Sequence, residues 1–183
     1  MHAQLEAISE EFLEALDHLH LLAERVAANR WAYRTNPRRW SLAECVAHLN
    51  LSSAAYLPLL ERAVTEARAI GGPAPRRHRH NPVGWLLWRT MGPPVRLRTR
   101  TIAAFVPAAS APATELVGEF ERLQDLQMAQ LRAGDGLPLG RVMVTSPFNA
   151  RIRYNLYSCF AILARHQHRH LWQAEQVWAG RSR

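Results

Sequence analysis

Histidines stand where leucines belong in the C-terminal segment of this chain. Its apolar seam runs Leu156, Cys159 and Phe160, Leu163, then His166 and His170, then Ala174 and Val177. The spacing follows the 3.6-residue turn of a helix that buries one face. A buried polar group without a partner costs roughly 1–3 kcal/mol. Two imidazoles at successive seam positions therefore need one. Residues i and i+4 project in the same direction from a helix, so both rings can reach a single divalent metal ion.

A third imidazole stands upstream. The stretch Trp40-Ser-Leu-Ala-Glu-Cys-Val-Ala-His-Leu49 opens a long helix. Ser41 and Glu44 have capping-box spacing, and Trp40 is placed to staple against Cys45. The seam continues through Leu42, Cys45, His48 and Leu49, Ser52, Tyr56, Leu59 and Ala63, so His48 again takes a core slot. One histidine from one helix and a pair from another suit a facial three-histidine site, with one coordination position left for water or substrate. His168 points off the seam. Cys45 lies one turn from His48 and could approach the ion, but the three histidines already provide a facial set. The other reading of both Cys45 and Cys159 is as small core residues.

The remaining periodicity predicts an all-α four-helix bundle. The first helix spans about 3–28, with Leu5, Ile8, Phe12, Ala15, Leu16, Leu19, Leu22 and Val26 inward and His18 and His20 in solvent. Pro37 bars helix in the linker that follows. The second spans 41–70, with a kink expected at Pro58, and the third 114–132. The fourth ends at Gly180. Its start is marked by Ser146-Pro147, an N-cap and N1 pair, or falls as late as Tyr154. The connection between the second and third helices is some 40 residues long, too long for antiparallel neighbours. It fits a crossover running the length of the bundle, which makes those helices parallel and the order up-down-down-up. Within it, 81–91 reads as a short helix and 96–106 as extended. In this topology Cys45 and Cys159 fall on opposite sides of the metal layer. At ~1.5 Å per residue they lie more than ~15 Å apart, past the ~7 Å disulfide limit.

Composition sets limits. The 183 residues suit one domain, 1–183. No apolar run approaches the ~20 residues of a membrane span. The N-terminal residues lack a basic region followed by an apolar one, so a cytoplasmic protein is expected. The net charge is +8 and every basic residue is arginine. The stretch 76–100 holds seven arginines, two histidines, two tryptophans and no acid. Basic residues interleaved with aromatics can hold single-stranded nucleic acid. Yet the chain carries no nucleic-acid motif, so a solvated crossover packed by its tryptophans is the favoured reading. His78 and His80 read as incidental loop residues. There is no phosphate-binding loop. Gln167 stands where a zincin would carry its catalytic glutamate, which excludes that peptidase class.

Trp-Ser-x-x-Glu-x-x-x-His-Leu at 40–49 and Arg-His-x-x-x-His-Leu-x-Gln at 165–173 resemble the DinB/YfiT-like superfamily, metal-binding four-helix bundles of about this length. The resemblance covers most of the chain. It implies that His48, His166 and His170 are the metal ligands. In the mycothiol-dependent isomerase branch the middle ligand is a carboxylate. His166 in its place points to the three-histidine branch. The family implies a bound metal and a homodimer; imidazole ligands accept one divalent ion, zinc or nickel foremost, with iron and cobalt open. It also implies an enzyme of thiol S-transferase type using a low-molecular-weight thiol. A metal-dependent hydrolase and a non-catalytic metal- or ligand-binding module are the alternatives. The small residues 52–55 leave room for substrate beside the metal, which makes Ser52 a candidate contact. Arg165 is a candidate for an anionic thiol's carboxylate. No residue can be assigned as general base, because Glu44 is committed to its cap.

Overall fold

Helix α1 (Ala3–Arg25) starts at His2, whose ring accepts the Gln4 amide, and buries the expected seam from Leu5 to Leu22. The computed structural model describes residues 1–37, 39–94, 101–107 and 111–180. Helix α2 (Leu42–Ile70) opens on the capping box: the Ser41 hydroxyl accepts the Glu44 amide, and the Glu44 carboxylate accepts the Ser41 amide. The helix runs through Pro58, which faces solvent. Helix α3 (Pro82–Met91) sits in the crossover, capped by Asn81 with Pro82 at its first position, where a missing N–H costs nothing. A 3-10 turn at Ala103–Phe105 follows, where an extended segment was expected; 96–100 of that expectation lies outside the described residues. Helix α4 (Ala113–Ala133) completes the third bundle position.

Helix α5 (Leu156–Trp178) begins later than Ser146-Pro147 suggests. Between α4 and α5 a two-stranded antiparallel hairpin forms instead, β1 (Met143–Thr145) with β2 (Arg153–Asn155), placing Val144 opposite Tyr154. The Ser146 amide donates to the Ile152 carbonyl at 2.9 Å, and the Ser146 hydroxyl accepts the Phe148 amide at 3.3 Å. Ser-Pro serves a turn as well as it serves a helix start, and the strand pairing on either side decides between them. Asn155 caps α5 in its place, accepting the Ser158 amide at 3.0 Å.

Helix directions follow from which residues meet. Tyr56 reaches Tyr154 while His48 reaches His166 and His170, so α2 and α5 are antiparallel. Leu42 and Leu49 share one core cluster with Leu116 and Phe120, and Leu60 and Ala63 share the other with Met128 and Leu131, so α2 and α4 are parallel. Glu11 meets Arg165 and His18 meets Glu175, so α1 and α5 are parallel. The bundle is up-down-down-up, with α1 and α2 on one diagonal and α4 and α5 on the other. His18 and His20 are half-buried between helices, facing Glu175 and Glu121, and not fully solvated as their positions beside Leu19 suggest.

The core is layered. One apolar cluster centres on Leu5, Phe12, Leu60, Leu131 and Phe160, the other on Leu19, Leu49, Leu116, Phe120 and Leu171. Between them lies a buried polar layer holding His48, Asn50, Ser52, Gln124, Gln127, His166, Gln167 and His170. Gln167 donates to Gln127 at 3.3 Å, joining the α4–α5 diagonal. Helix α3 lies against the outside of α5 and covers the face that would otherwise meet water. That explains why every residue from Leu156 to Ala164 is buried. Cys45 and Cys159 sit in different clusters, both free. Among the described residues no helix is long and apolar enough to cross a membrane.

Candidate metal centre

His48 lies two turns into α2, and His166 and His170 lie one turn apart near the middle of α5. Antiparallel packing brings the three rings together. Centroids stand 4.5 Å apart for His48 and His170, 4.6 Å for His166 and His170, and 5.3 Å for His48 and His166. One ring nitrogen from each lies within 4.8 Å of the others, so the group could hold a metal ion. All three residues are at least nine-tenths buried.

The chemistry of the donors fits an ion. A histidine ligates only when neutral, and the surroundings keep these neutral. Burial pushes the pKa of His166 well below the ordinary value, and His48 and Arg169 push it the same way. Burial does the same to His170, helped by His166, His48 and Arg169, with Gln173 opposing weakly. Burial lowers His48 too, against the pull of its hydrogen bond to Phe105. That bond spans 2.8 Å from Nδ1 of His48 to the Phe105 carbonyl. A carbonyl only accepts, so Nδ1 carries the proton and Nε2 keeps its lone pair. Nδ1 of His170 is buried with no hydrogen-bond partner, an unpaid cost of the kind a bound ion relieves.

Three aromatic rings surround the imidazoles. Trp40 lies 4.8 Å from His48 and 5.9 Å from His170. Phe148 lies 6.0 Å from His48 and 5.9 Å from His166, and it stacks on Phe105 at 4.1 Å. Trp40 is expected against Cys45 and packs on the core cluster that holds it, but its contact with His48 and His170 is not read from the sequence. Phe105 and Phe148 come from the crossover and the hairpin loop, where no periodicity marks a residue as inward. Sequence reasoning missed both.

The other candidates lie as follows. Ser52 is buried one turn beyond His48, and its hydroxyl donates to the His48 carbonyl at 2.7 Å. Ser53 is also buried, but Ala54 is exposed and Ala55 half-buried, so the small-residue run does not all face the histidines. Arg165 turns toward α3 and α1. Its guanidinium lies 4.0 Å over the Trp88 ring and 3.8 Å from Glu11. It is not brought to the three histidines. Cys45 stands outside the histidine group. Burial raises its thiol to about 12, so it stays protonated. Glu44 is held by the Ser41 amide and by an ion pair with Arg34.

No curated protein and no solved structure matches this chain. The family model of the DinB superfamily matches residues 5–174. That span takes in all four bundle helices and the three histidines they bring together, and the chain belongs to the DinB superfamily.

Proposed function

We propose that His48, His166 and His170 hold one divalent metal ion and that the protein is a metal-dependent enzyme of thiol S-transferase type. The observation that carries this reading is the meeting of three buried, neutral imidazoles from two antiparallel helices within 4.8 Å. Three ligands leave a fourth position open on a tetrahedral ion. Imidazole donors suit zinc and nickel, and accept iron and cobalt. Such an ion supplies Lewis acidity that lets a thiol or a water ionise near neutral pH.

The chain's own residues do the rest. The Phe105 carbonyl fixes the His48 tautomer and ring angle. Trp40, Phe105 and Phe148 exclude water and present apolar faces to an electrophile. Arg169, largely buried near His166 and His170, disfavours their protonation and so helps keep both ready to ligate. Glu44 is locked by Ser41 and Arg34, so it is not a free base. Without a free base, a metal-bound thiolate or hydroxide would have to react unaided, and the resemblance to thiol transferases of the superfamily ranks the thiolate first. A hydrolase ranks second. The same lock also suits a metal- or ligand-binding module without turnover.

Elemental analysis of the purified and reconstituted protein should find about one divalent ion per chain. The loaded protein is then screened with bacillithiol, mycothiol and glutathione against a chlorinated aromatic, beside an ester and amide panel. Thiol-dependent turnover lost in His48→Ala supports the enzyme. Metal without thiol binding or turnover leaves the binding module.

A further inference from the structure

The sequence marks His78 and His80 as incidental, but the structure builds both into a wall. A basin of about 870 Å3 opens where the 77–80 segment and α3 meet the start of α5. That is within the usual ~300–1,000 Å3 of ligand pockets. It lies on the outer face of α5, away from the side that carries the three histidines to α2. His78 stacks on Tyr157 with ring centroids 5.2 Å apart and 14° between planes. His80 stacks on Trp88 at 5.0 Å and 26°. His80 is also tied to the Ser158 hydroxyl at 3.0 Å, and the His78 amide donates to the Gln4 side chain at 2.7 Å. These bonds fix the aromatic walls before any ligand arrives.

The rim has one sign. Arg77 and Arg79 line the basin and are exposed, and no carboxylate is among its lining residues. Trp85 also lines it, with 49 % of its surface in solvent. Burial lowers the pKa of His78 and His80, so the wall itself stays neutral and apolar at pH 7. Nε2 of His78 is buried there with no hydrogen-bond partner. Flat apolar walls favour a ring that can stack. Two guanidiniums at the edge favour a carboxylate, sulfonate or phosphate, which they can grip in bidentate fashion.

We propose that this basin is a second binding site, taking a small planar aromatic anion that stacks on Trp85 and pairs its acid group with Arg77 and Arg79. Anilinonaphthalene sulfonate is a fluorescent probe of this chemistry. Titrated into the metal-loaded protein, it should bind at one site per chain. Naphthoate should displace it and naphthylmethylammonium, of like shape and opposite charge, should not. Trp85→Ala and the double variant Arg77→Ala/Arg79→Ala should each weaken binding about tenfold or more, a change of ~1.4 kcal/mol. Trp85 and both arginines are exposed, so these variants should keep wild-type circular dichroism. Equal binding by all variants, or displacement by the cation as readily as by the anion, would overturn the proposal. So would oligothymidylate binding far more tightly than its mononucleotide, which would make the face a single-strand surface.

Discussion

His48 on α2 and Phe105 in the crossover are joined by a 2.8 Å hydrogen bond from the imidazole Nδ1 to the backbone carbonyl. One bond thus links a candidate ligand to the only described part of the crossover that reaches the site. Losing His48 should therefore have two effects, and losing His170 only one. Both His48→Ala and His170→Ala should cut metal content from about one ion per chain to near zero. Only His48→Ala should also leave the Phe105 carbonyl without its donor, at a cost of ~1–3 kcal/mol. Hydrogen exchange in 103–107 should then quicken in His48→Ala and stay near wild type in His170→Ala. Equal exchange in the two variants would show that the bond does not hold the crossover.

Acid should destabilise the fold and release the ion together. Burial lowers the folded-state pKa of His48, His166 and His170 below the ordinary value, taken as about 6.5 in the unfolded chain. The unfolded state then binds more protons as pH falls, so stability is full above about 6.5 and lost on going down toward the folded values. The ion competes with those same protons, which steepens the fall. Melting temperatures with and without chelator should differ widely at pH 7.5 and converge toward pH 5. A chelator effect of the same size at both values would place the bound metal elsewhere.

The bundle was legible because four seams have helical period, and nearly every seam residue of α1 is buried. The histidine group was legible for the same reason: polar residues on an apolar stripe stand out. What the period cannot show is anything off a helix. Phe105 and Phe148 close over the imidazoles from a 3-10 turn and a hairpin loop, where burial depends on tertiary contact alone. The hairpin itself was hidden because its strands are three residues each, too short for alternation to register. Ser146-Pro147 fitted a helix start locally, and only the pairing of Val144 with Tyr154 rules that out. Leu59 and Leu60 mark the limit of periodicity: the seam runs through the first, and the second is the fully buried one.

Gly84 has no Cβ for a reason visible only in three dimensions. A Cβ built there would stand 2.2 Å from the Ser158 hydroxyl oxygen and 2.4 Å from its Cβ. Helix α3 could not then lie where it does on α5. Gly84→Ala should cost about 1–3 kcal/mol, the range for overpacking, even though alanine is the better helix former. Adding Ser158→Gly removes the two Ser158 atoms and leaves the Asn81 Oδ1 at 2.6 Å, so it should recover part of the loss. A cycle of the two single variants and the double, measured by urea unfolding, tests the coupling. Strict additivity would mean that α3 does not rest on Ser158.

Tyr56 and Tyr154 face each other at the lower edge of the polar layer, their hydroxyls hydrogen-bonded and both nearly inaccessible. Tyr56 lies two turns beyond His48 on the same seam, and Tyr154 belongs to β2, so the pair pins the hairpin to α2. Burial raises the pKa of both phenols, so both stay protonated at any pH the fold survives. The bond is then neutral, and either single substitution removes it. Tyr56→Phe should lose about 0.5–1.5 kcal/mol, one hydrogen bond, since the Tyr154 hydroxyl keeps Ser146 as a partner. The double variant Tyr56→Phe/Tyr154→Phe should lose clearly less than the sum of the singles. Because Phe148 lies 6.3 Å from Tyr56 and also against His48 and His166, the singles should weaken metal retention as well. The loss should be modest, since no ligand is removed. Retention is read from the free-metal concentration at half occupancy in a competition with a chromophoric chelator. Additive stability losses with unchanged metal affinity would show that the tyrosine pair neither acts as a unit nor supports the centre above it.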